Sequence, residues 1–191
     1  MNHDIIAIVT PIGNEAATID KTYKELMKVN WNFWITIIDS FCKDGSDIIL
    51  KKLAQNDKRI IVLDIGRGNG VAKAYIEGIK HAIKINATKI IETDIGHPIY
   101  LIPEFIKYLD EVPFVVGTRF NGGKFINVPF KRKLLSKLGT MISHLVLQLP
   151  FSDCTSGFQG FTKEIAESIP FDKFKSTGHF YQTEFKFYTV N

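Results

Sequence analysis

The chain reads Ile90-Ile91-Glu92-Thr93-Asp94-Ile95-Gly96-His97-Pro98, a β-branched run that ends in two carboxylates and a turn. Residues i and i+2 of a strand point to the same side, so the Glu92 and Asp94 side chains are predicted to face one way. Carboxylate oxygens are the ligands that hard divalent cations prefer. Taken alone, the spacing fits either a cation site at the end of a strand or an ordinary acidic loop, and the neighbouring segments must decide.

Short apolar runs alternate with helical patterns as far as residue 117. The predicted strands are 5–9, 34–39, 59–63, 89–93 and 114–117, and the predicted helices are 18–29, 47–56, 71–85 and 100–109. Such alternation is typical of a mostly parallel sheet with helices on both faces. Ligands bind at the carboxyl edge of such sheets. We therefore predict an α/β, Rossmann-like fold whose site is built from the loops that follow the strands.

The pattern changes after residue 117. The segment 131–147 has the apolar spacing of an amphipathic helix, and we interpret its apolar stripe as core in preference to a membrane-facing element. Residues 150–160 are interpreted as a loop, 163–168 as a short helix and 180–190 as an aromatic-rich tail. Since there is no internal repeat, low-complexity segment or linker, residues 1–191 are predicted to form a single domain.

Composition and charge narrow the class of protein. The 191 residues are 45% hydrophobic and 23% charged with a net charge of +4, which is ordinary for a globular protein and does not call for nucleic acid. The two cysteines, Cys42 and Cys154, have no metal-type spacing and suit a reducing compartment. With no secretory signal pattern and no spanning apolar run, we expect a cytoplasmic protein that lies at most peripherally on the cytoplasmic membrane face.

Polar residues follow each predicted strand, where the loops of a parallel sheet share one edge. They are Asn14 and Glu15, Asp39, Arg67, Glu92 and Asp94, and Arg119, with Lys131 and Arg132 further on. Asp39 suits hydrogen bonds to a base or ribose, the Glu92–Asp94 pair suits a diphosphate-bound cation, and the basic groups suit a second anion. The alternatives at this point are a helix cap for Asn14-Glu15, a turn for Asp39, a solvated charge run for 131–133 and a loop-shaping role for His97.

Three other site types fit the sequence poorly. Gly66-x-Gly68-x-Gly70 follows a strand and begins a helix, but it has the wrong third spacing and follows the third strand, not the first, for a dinucleotide fingerprint. The Walker A lysine loop and the Gly-x-Ser-x-Gly elbow of serine hydrolases are both absent from the sequence.

Several short motifs occur in a fixed order over nearly the whole chain. They are Pro11-x-x-Asn14-Glu15-Ala16, Ile38-Asp39 with Asp44-Gly45-Ser46, Gly68-x-Gly70-x-Ala72-x-Ala74-Tyr75, Glu92-x-Asp94-x-x-His97-Pro98, Gly117-Thr118-Arg119-Phe120, Asn127-x-Pro129-x-Lys131-Arg132-Lys133-Leu134-Leu135-Ser136 and Asp153-Cys154-Thr155-Ser156-Gly157-Phe158. The set resembles the family 2 glycosyltransferases of the GT-A fold, and more closely their polyprenyl-phosphate branch, which includes dolichol-phosphate mannosyltransferases. The Asp-Cys-Thr-Ser-Gly-Phe and Pro-x-Lys-Arg-Lys segments are the most specific matches.

The resemblance implies an inverting glycosyltransferase that moves a sugar from a nucleotide-diphosphate sugar to a polyprenyl phosphate, with a peripheral membrane surface and a membrane-protein partner. Donor contacts are expected from Pro11, Asn14, Glu15, Asp39, Arg67, Glu92 and Asp94. Mg²⁺ or Mn²⁺ is expected on Glu92 and Asp94, and the acceptor phosphate on Arg119, Arg132 and Ser136. Catalytic roles are expected for Asp94, Arg119 and Arg132, and Glu184 matches an acidic position near the family's active site.

The sequence also departs from the family pattern. Ser40 stands where the family has a second Asp, Glu92 where it has the first metal Asp, Gly96 where a further metal ligand is usual, and Gln159 where it has Arg. The family's catalytic domain also continues beyond the region of Glu184, so the expectation is either a chain truncated at its C-terminus or a naturally short form that is incomplete as an enzyme. These departures keep two alternatives open: a glycosyltransferase with a saccharide or protein hydroxyl acceptor, and a non-catalytic nucleotide-sugar-binding or membrane-associated protein.

Overall fold

A six-stranded sheet lies at the centre of the computed structural model, which describes residues 4–38, 42–66, 68–120, 122–123 and 130–191 and, of Arg132, only the backbone. The strands are β1 (Ile6–Ile12), β2 (Phe33–Ile38), β3 (Ile60–Asp64), β4 (Lys89–Glu92), β5 (Phe114–Val116) and β6 (Gln159–Thr162). Their order is β3-β2-β1-β4-β6-β5, with β1 to β4 mutually parallel and β6 antiparallel to both of its neighbours. The predicted α/β fold with a mostly parallel sheet is confirmed.

Helices cover both faces of this sheet. They are α1 (Ala16–Leu26), α2 (Ser46–Asn56), α3 (Gly70–Lys84), α4 (Ile102–Tyr108), α5 (Phe130–Leu147), α6 (Lys163–Ser168) and α7 (Tyr181–Val190). Alternate residues of β1 point to opposite faces, so Ala7 and Val9 pack with α3 and α7, whereas Ile6 and Ile8 pack with α1, α2 and α4. Two buried apolar layers result, and they fix the carboxyl ends of the parallel strands along one edge.

Two elements were missed by the sequence patterns. β6 is only four residues long and contains Gly160, so it shows no alternation. A Cβ on Gly160 would come within 2.8 Å of Ile91 Cδ1, which explains why the strand carries glycine there. The predicted aromatic tail forms α7, in which Tyr181, Phe185 and Lys186 are buried although aromatic residues are only moderate helix formers. In both cases tertiary packing decides the local structure.

The orientation of α5 is the reverse of our prediction. Its buried side carries the small polar residues Ser136, Thr140 and Ser143. Its large apolar residues point outward instead, and we call them the α5 face: Phe130, Leu134, Leu135, Leu138, Met141, Ile142, Leu145 and Val146, each at least 42% exposed. The interpretation of the stripe as core is therefore wrong. No helix within the described ranges is long and apolar enough to span a bilayer.

Candidate active site

A cleft of about 350 Å³ lies at the carboxyl ends of β1 to β4. Its walls come from the loops after these strands, from the start of α3, from the 153–157 segment and from the residues that lead into α7. The polar side chains that line it are Glu15, Tyr75, Asp94, His97, Arg119, Thr155, His179, Tyr181 and Gln182. This is the edge at which the predicted parallel sheet should place a site.

The cleft brings together four of the residues predicted to form a site, namely Pro11, Glu15, Asp94 and Arg119. Three others do not line it. Asn14 accepts a hydrogen bond from the Lys43 backbone N–H at 2.8 Å, whereas Glu92 and Ser136 are buried elsewhere. Asp39 and Arg67 lie outside the described residues, as does the side chain of Arg132. The predicted roles of all these residues stay predictions.

Asp94 presents an exposed carboxylate to the cleft just beyond the end of β4. Its Oδ1 accepts the Ile95 backbone N–H at 2.8 Å, and its own N–H donates to His97 Nδ1 at 2.8 Å. Burial lowers the pKa of His97 to about 4, which outweighs the opposite effect of the Asp94 charge. Because Nδ1 is an acceptor, the neutral imidazole carries its proton on Nε2. His97 therefore holds the Asp94 turn and is neutral at pH 7.

Arg119 is anchored by the buried carboxylate of Asp153, a residue of the Asp-Cys-Thr-Ser-Gly-Phe segment for which the sequence predicted no separate role. Its Nε donates to Asp153 Oδ2 at 2.7 Å, and one terminal nitrogen donates to Asp153 Oδ1 at 2.8 Å and Thr155 Oγ1 at 2.6 Å. Burial by itself raises the pKa of Asp153, but the hydrogen bonds and charge of Arg119 outweigh it, so the pKa stays below its usual value. The forked pairing fixes a cationic plane at the cleft wall.

Glu92 points into the protein and not into the cleft. Its side chain is 0% exposed, with Oε1 accepting the Tyr181 hydroxyl and Oε2 accepting Gln159 Nε2, both at 2.7 Å. Lys186 Nζ in turn donates to Gln159 Oε1 at 2.8 Å. The strand ends at Glu92, so the two-residue period that predicted a common direction for Glu92 and Asp94 does not extend to Asp94. The geometry therefore does not offer the two carboxylates to one cation.

Burial changes the pKa values of both Glu92 and Lys186. Burial raises the pKa of Glu92 to about 7, with the Tyr181 and Gln159 hydrogen bonds opposing the shift. Burial likewise lowers the pKa of Lys186 to about 8, opposed by the charge of Glu92. Tyr181, which lines the cleft, is held by Glu92 and stacks on Tyr75 with ring centroids 5.5 Å apart. The network thus supports one wall of the cleft from behind.

Glu184 shapes the segment that precedes α7. Its two carboxylate oxygens accept the backbone N–H groups of Lys175 and Ser176, each at 2.9 Å. Further along this segment, Thr177 O accepts the Ala72 N–H at 3.3 Å, and Gly178 and His179 line the cleft. The resemblance placed Glu184 near an active site, and the structure places it one layer behind the cleft wall. The match of Glu184 to that acidic family position was the one sequence signal for this segment.

A model of the family described as Glycosyl transferase family 2 matches residues 7–169, which is more than half of the chain. The chain belongs to glycosyl transferase family 2. This agrees with the order of the motifs along the sequence and with the parallel sheet whose carboxyl edge forms the cleft.

Named relatives of this family 2 chain are similar over most of its length. An undecaprenyl-phosphate mannosyltransferase of Micrococcus luteus is 24% identical over 97% of this chain and 77% of the relative. A dolichol-phosphate mannosyltransferase of Pyrococcus furiosus is 27% identical over 86% of this chain, which spans only 48% of that relative. A glucosyl-3-phosphoglycerate synthase of Mycobacterium tuberculosis, solved with Mn²⁺, UDP and glucosyl-3-phosphoglycerate, shares the fold at a TM-score of 0.63 and 16% identity, over 95% of this chain and 63% of that one.

The metal-ligating side chains of this family 2 cleft fit a divalent cation that is held by a single protein carboxylate. The described residues contain no cluster of three or more His, Cys, Asp or Glu side chains that could enclose an ion. Mg²⁺ is often held by one or two carboxylates, with substrate phosphates and water completing its shell. Asp94 meets that requirement by itself, because its carboxylate is exposed at the cleft, whereas both oxygens of Glu92 are already hydrogen-bonded.

Gly70→Ala is expected to cost about 1–3 kcal/mol of unfolding free energy and to weaken donor binding. Gly70 has a φ of +74°, and a Cβ there would lie 2.5 Å from Thr177 O, so the 175–179 segment must move. Gly68→Ala is the matched control, since Gly68 has a φ of +72° but a Cβ there meets nothing within 4 Å. Urea unfolding and nucleotide-sugar titration measure both effects. Equal losses in the two variants would contradict a role for the Thr177 contact.

Proposed function

We propose that this chain is an inverting glycosyltransferase that moves a sugar from a nucleotide-diphosphate sugar to a polyprenyl phosphate. The observation that carries the proposal is the placement of an exposed carboxylate, Asp94, and an anchored guanidinium, Arg119, on the walls of one cleft. The first suits a cation-bound diphosphate and the second suits an anionic acceptor. The names of the two mannosyltransferase relatives support the same choice of acceptor.

The donor is proposed to lie along the first, third and fourth strand ends. Pro11 and Glu15 line the cleft beside Ile37, Ile65 and Val71, which form an apolar wall. An apolar wall with few polar groups is the usual environment for a ring-shaped ligand such as a base. Asp94 then faces the diphosphate and would hold a divalent cation, which would supply stabilisation of the negative charge that develops on the departing nucleoside diphosphate.

The acceptor chemistry needs positioning more than proton removal. A phosphate monoester has a second pKa near 6, so its oxygen is already anionic and nucleophilic at neutral pH. Arg119 binds and orients this anion from the cleft wall that it lines, and Arg132 and Ser136 are proposed to assist it. Attack by the phosphate oxygen on the anomeric carbon breaks the bond to the donor diphosphate and inverts that carbon. His97 is neutral, and its Nδ1 already accepts a hydrogen bond from the Asp94 N–H. We therefore assign it no role as a general base.

The decisive test is transfer from a panel of nucleotide sugars, with Mn²⁺ or Mg²⁺, to a short-chain polyprenyl phosphate. The matched control acceptor is the corresponding polyprenol, which has the same chain and a hydroxyl in place of the phosphate. We expect sugar on the phosphate only, together with a melting-temperature rise when the preferred donor and the metal are both present. Transfer to the hydroxyl alone would favour a saccharide or protein acceptor. Donor binding without transfer or hydrolysis would favour a non-catalytic protein.

A further inference from the structure

The side chain of Gln182 carries a buried oxygen that the described part of the chain leaves without a partner. Gln182 is 5% exposed, and its Oε1 accepts no hydrogen bond from any of the described residues. An unpaired buried polar atom destabilises a protein, so native structures contain few of them and each calls for an explanation. Gln182 also lines the cleft, where a ligand can supply the missing hydrogen-bond donor.

The rest of Gln182 is firmly held, so a loose side chain does not explain the unpaired oxygen. Its backbone carbonyl accepts a hydrogen bond from Lys186 Nζ at 3.2 Å, and a Cβ on Gly157 would lie 3.1 Å from its Nε2. Burial raises the pKa of Glu92, and hydrogen bonding from Gln182 is among the effects that oppose this rise, which places the amide N–H on the Glu92 side. The oxygen is therefore the end of the amide that is left for a ligand.

The position of Gln182 in the cleft indicates which part of a substrate it faces. Its amide packs on Gly157, which lies on the same segment as Thr155, and Thr155 accepts a hydrogen bond from Arg119 at 2.6 Å. In the proposed reaction the anomeric carbon is bonded to the donor diphosphate at Asp94 and is attacked by the acceptor anion at Arg119. The transferred sugar must lie beside both groups. Gln182 is thus placed next to the sugar and away from the apolar wall proposed for the base.

A hydroxyl group is the partner that suits this oxygen. An amide oxygen only accepts hydrogen bonds, whereas a hydroxyl both donates and accepts them. The diphosphate and the acceptor phosphate are ionised near neutral pH and offer acceptors, so neither of them pairs with Oε1. The hydroxyl groups of the sugar are the donors at this end of the cleft.

We propose that Gln182 Oε1 accepts a hydrogen bond from one hydroxyl of the transferred sugar and thereby helps to select the donor. The last torsion of a glutamine side chain is broad, so a small rotation turns Oε1 toward the cleft. A site whose buried acceptor pairs with a substrate hydroxyl discriminates against the analogue that lacks it. The identity of the ligand as a nucleotide sugar rests on the function proposed above.

The test measures donor binding by titration calorimetry without an acceptor. Its probes are the nucleotide sugar that gives the largest melting shift and the monodeoxy analogues of that donor, each of which lacks one sugar hydroxyl. We expect one analogue to bind the wild type about tenfold more weakly than the parent donor. Gln182→Met, which keeps a long unbranched side chain but has no amide oxygen, should bind the parent donor about tenfold more weakly. It should bind that one analogue no more weakly still, because residues and groups in direct contact are not additive.

Thr140→Val is the matched control, because Thr140 Oγ1 is also buried without a partner among the described residues but Thr140 does not line the cleft. It should bind every donor as the wild type does. The proposal is overturned if no monodeoxy analogue binds the wild type more weakly, a result that needs no variant to fold. It is also overturned if the losses from Gln182→Met and from the missing hydroxyl add, as they would for a purely structural glutamine.

Donor binding and sugar transfer separate this proposal from the proposed function. If the losses are not additive but no sugar reaches polyprenyl phosphate, the proposed acceptor is wrong and the assignment of Gln182 stands. If sugar is transferred while the losses add, the function stands and Gln182 has no contact with the sugar. Failure of every nucleotide sugar to bind would overturn both.

Discussion

Asp94→Ala is expected to lower the rate of sugar transfer on the order of 10³-fold and to remove the Mn²⁺-dependent part of the donor-induced melting shift. Asp94 is an exposed carboxylate on the cleft with an oxygen, Oδ2, that accepts no hydrogen bond from the described part of the chain. Stabilisation of charge on a leaving group acts mainly in the transition state, so its loss lowers kcat strongly. Steady-state kinetics over a range of Mn²⁺ concentrations measure the effect.

Two control variants distinguish a ligand role for Asp94 from a structural one. Asp94→Asn keeps an acceptor for the Ile95 N–H and should melt like the wild type, yet it should lose the response to Mn²⁺ because its charge is gone. Glu92→Gln should change the free energy of unfolding, because Glu92 is buried behind Tyr181. The Mn²⁺-dependent part of the melting shift should persist in this variant. If Glu92→Gln abolished the Mn²⁺ response as fully as Asp94→Asn does, the two carboxylates would share the ion after all.

The parts of the fold that could be predicted are those with a strong local pattern. The β1 run is buried on both faces and α3 has a clear apolar stripe, so both appear within a few residues of their predicted bounds. β6 could not be predicted, because its place between β4 and β5 depends on pairing with residues about 70 positions away. The stripe of α5 showed correctly that the segment is an amphipathic helix. Periodicity alone does not tell which side of such a helix faces the protein.

The candidate site likewise contains residues that could be predicted from the sequence and residues that could not. Asp94 and Arg119 were found because each follows a strand, and parallel strands bring their carboxyl ends to one edge. The direction of Glu92 was not predictable, since it depends on where the ladder of β4 ends. Asp153, Tyr181 and Lys186 act through contacts across 34, 89 and 27 positions of sequence, which leave no local pattern. Pairs of polar groups that are far apart in the sequence are the part of a site that is hardest to predict from a single sequence.

Lys186→Met is expected to lower the unfolding free energy by about 3 kcal/mol near neutral pH, because it leaves the buried Glu92 carboxylate without a compensating cation. Lys186 is 0% exposed and donates to Ser156 O at 2.7 Å, Gln159 Oε1 at 2.8 Å and Gln182 O at 3.2 Å. Urea unfolding at a series of pH values measures the loss. It should grow as pH rises from about 7, where Glu92 becomes charged in the folded protein, through about 8, below which the contribution of Lys186 is lost.

The sign of the pH dependence follows from linkage. The pKa of Glu92 is raised on folding, so its contribution is full below the unfolded pKa of 4.5 and is lost as pH rises through about 7. The pKa of Lys186 is lowered, so its contribution is full above 10.5 and is lost as pH falls through about 8. Lys186→Met/Glu92→Leu removes both charges and should be more stable than the single variant at neutral pH. Equal stabilities of the single and double variants at every pH would show that the two groups do not compensate each other.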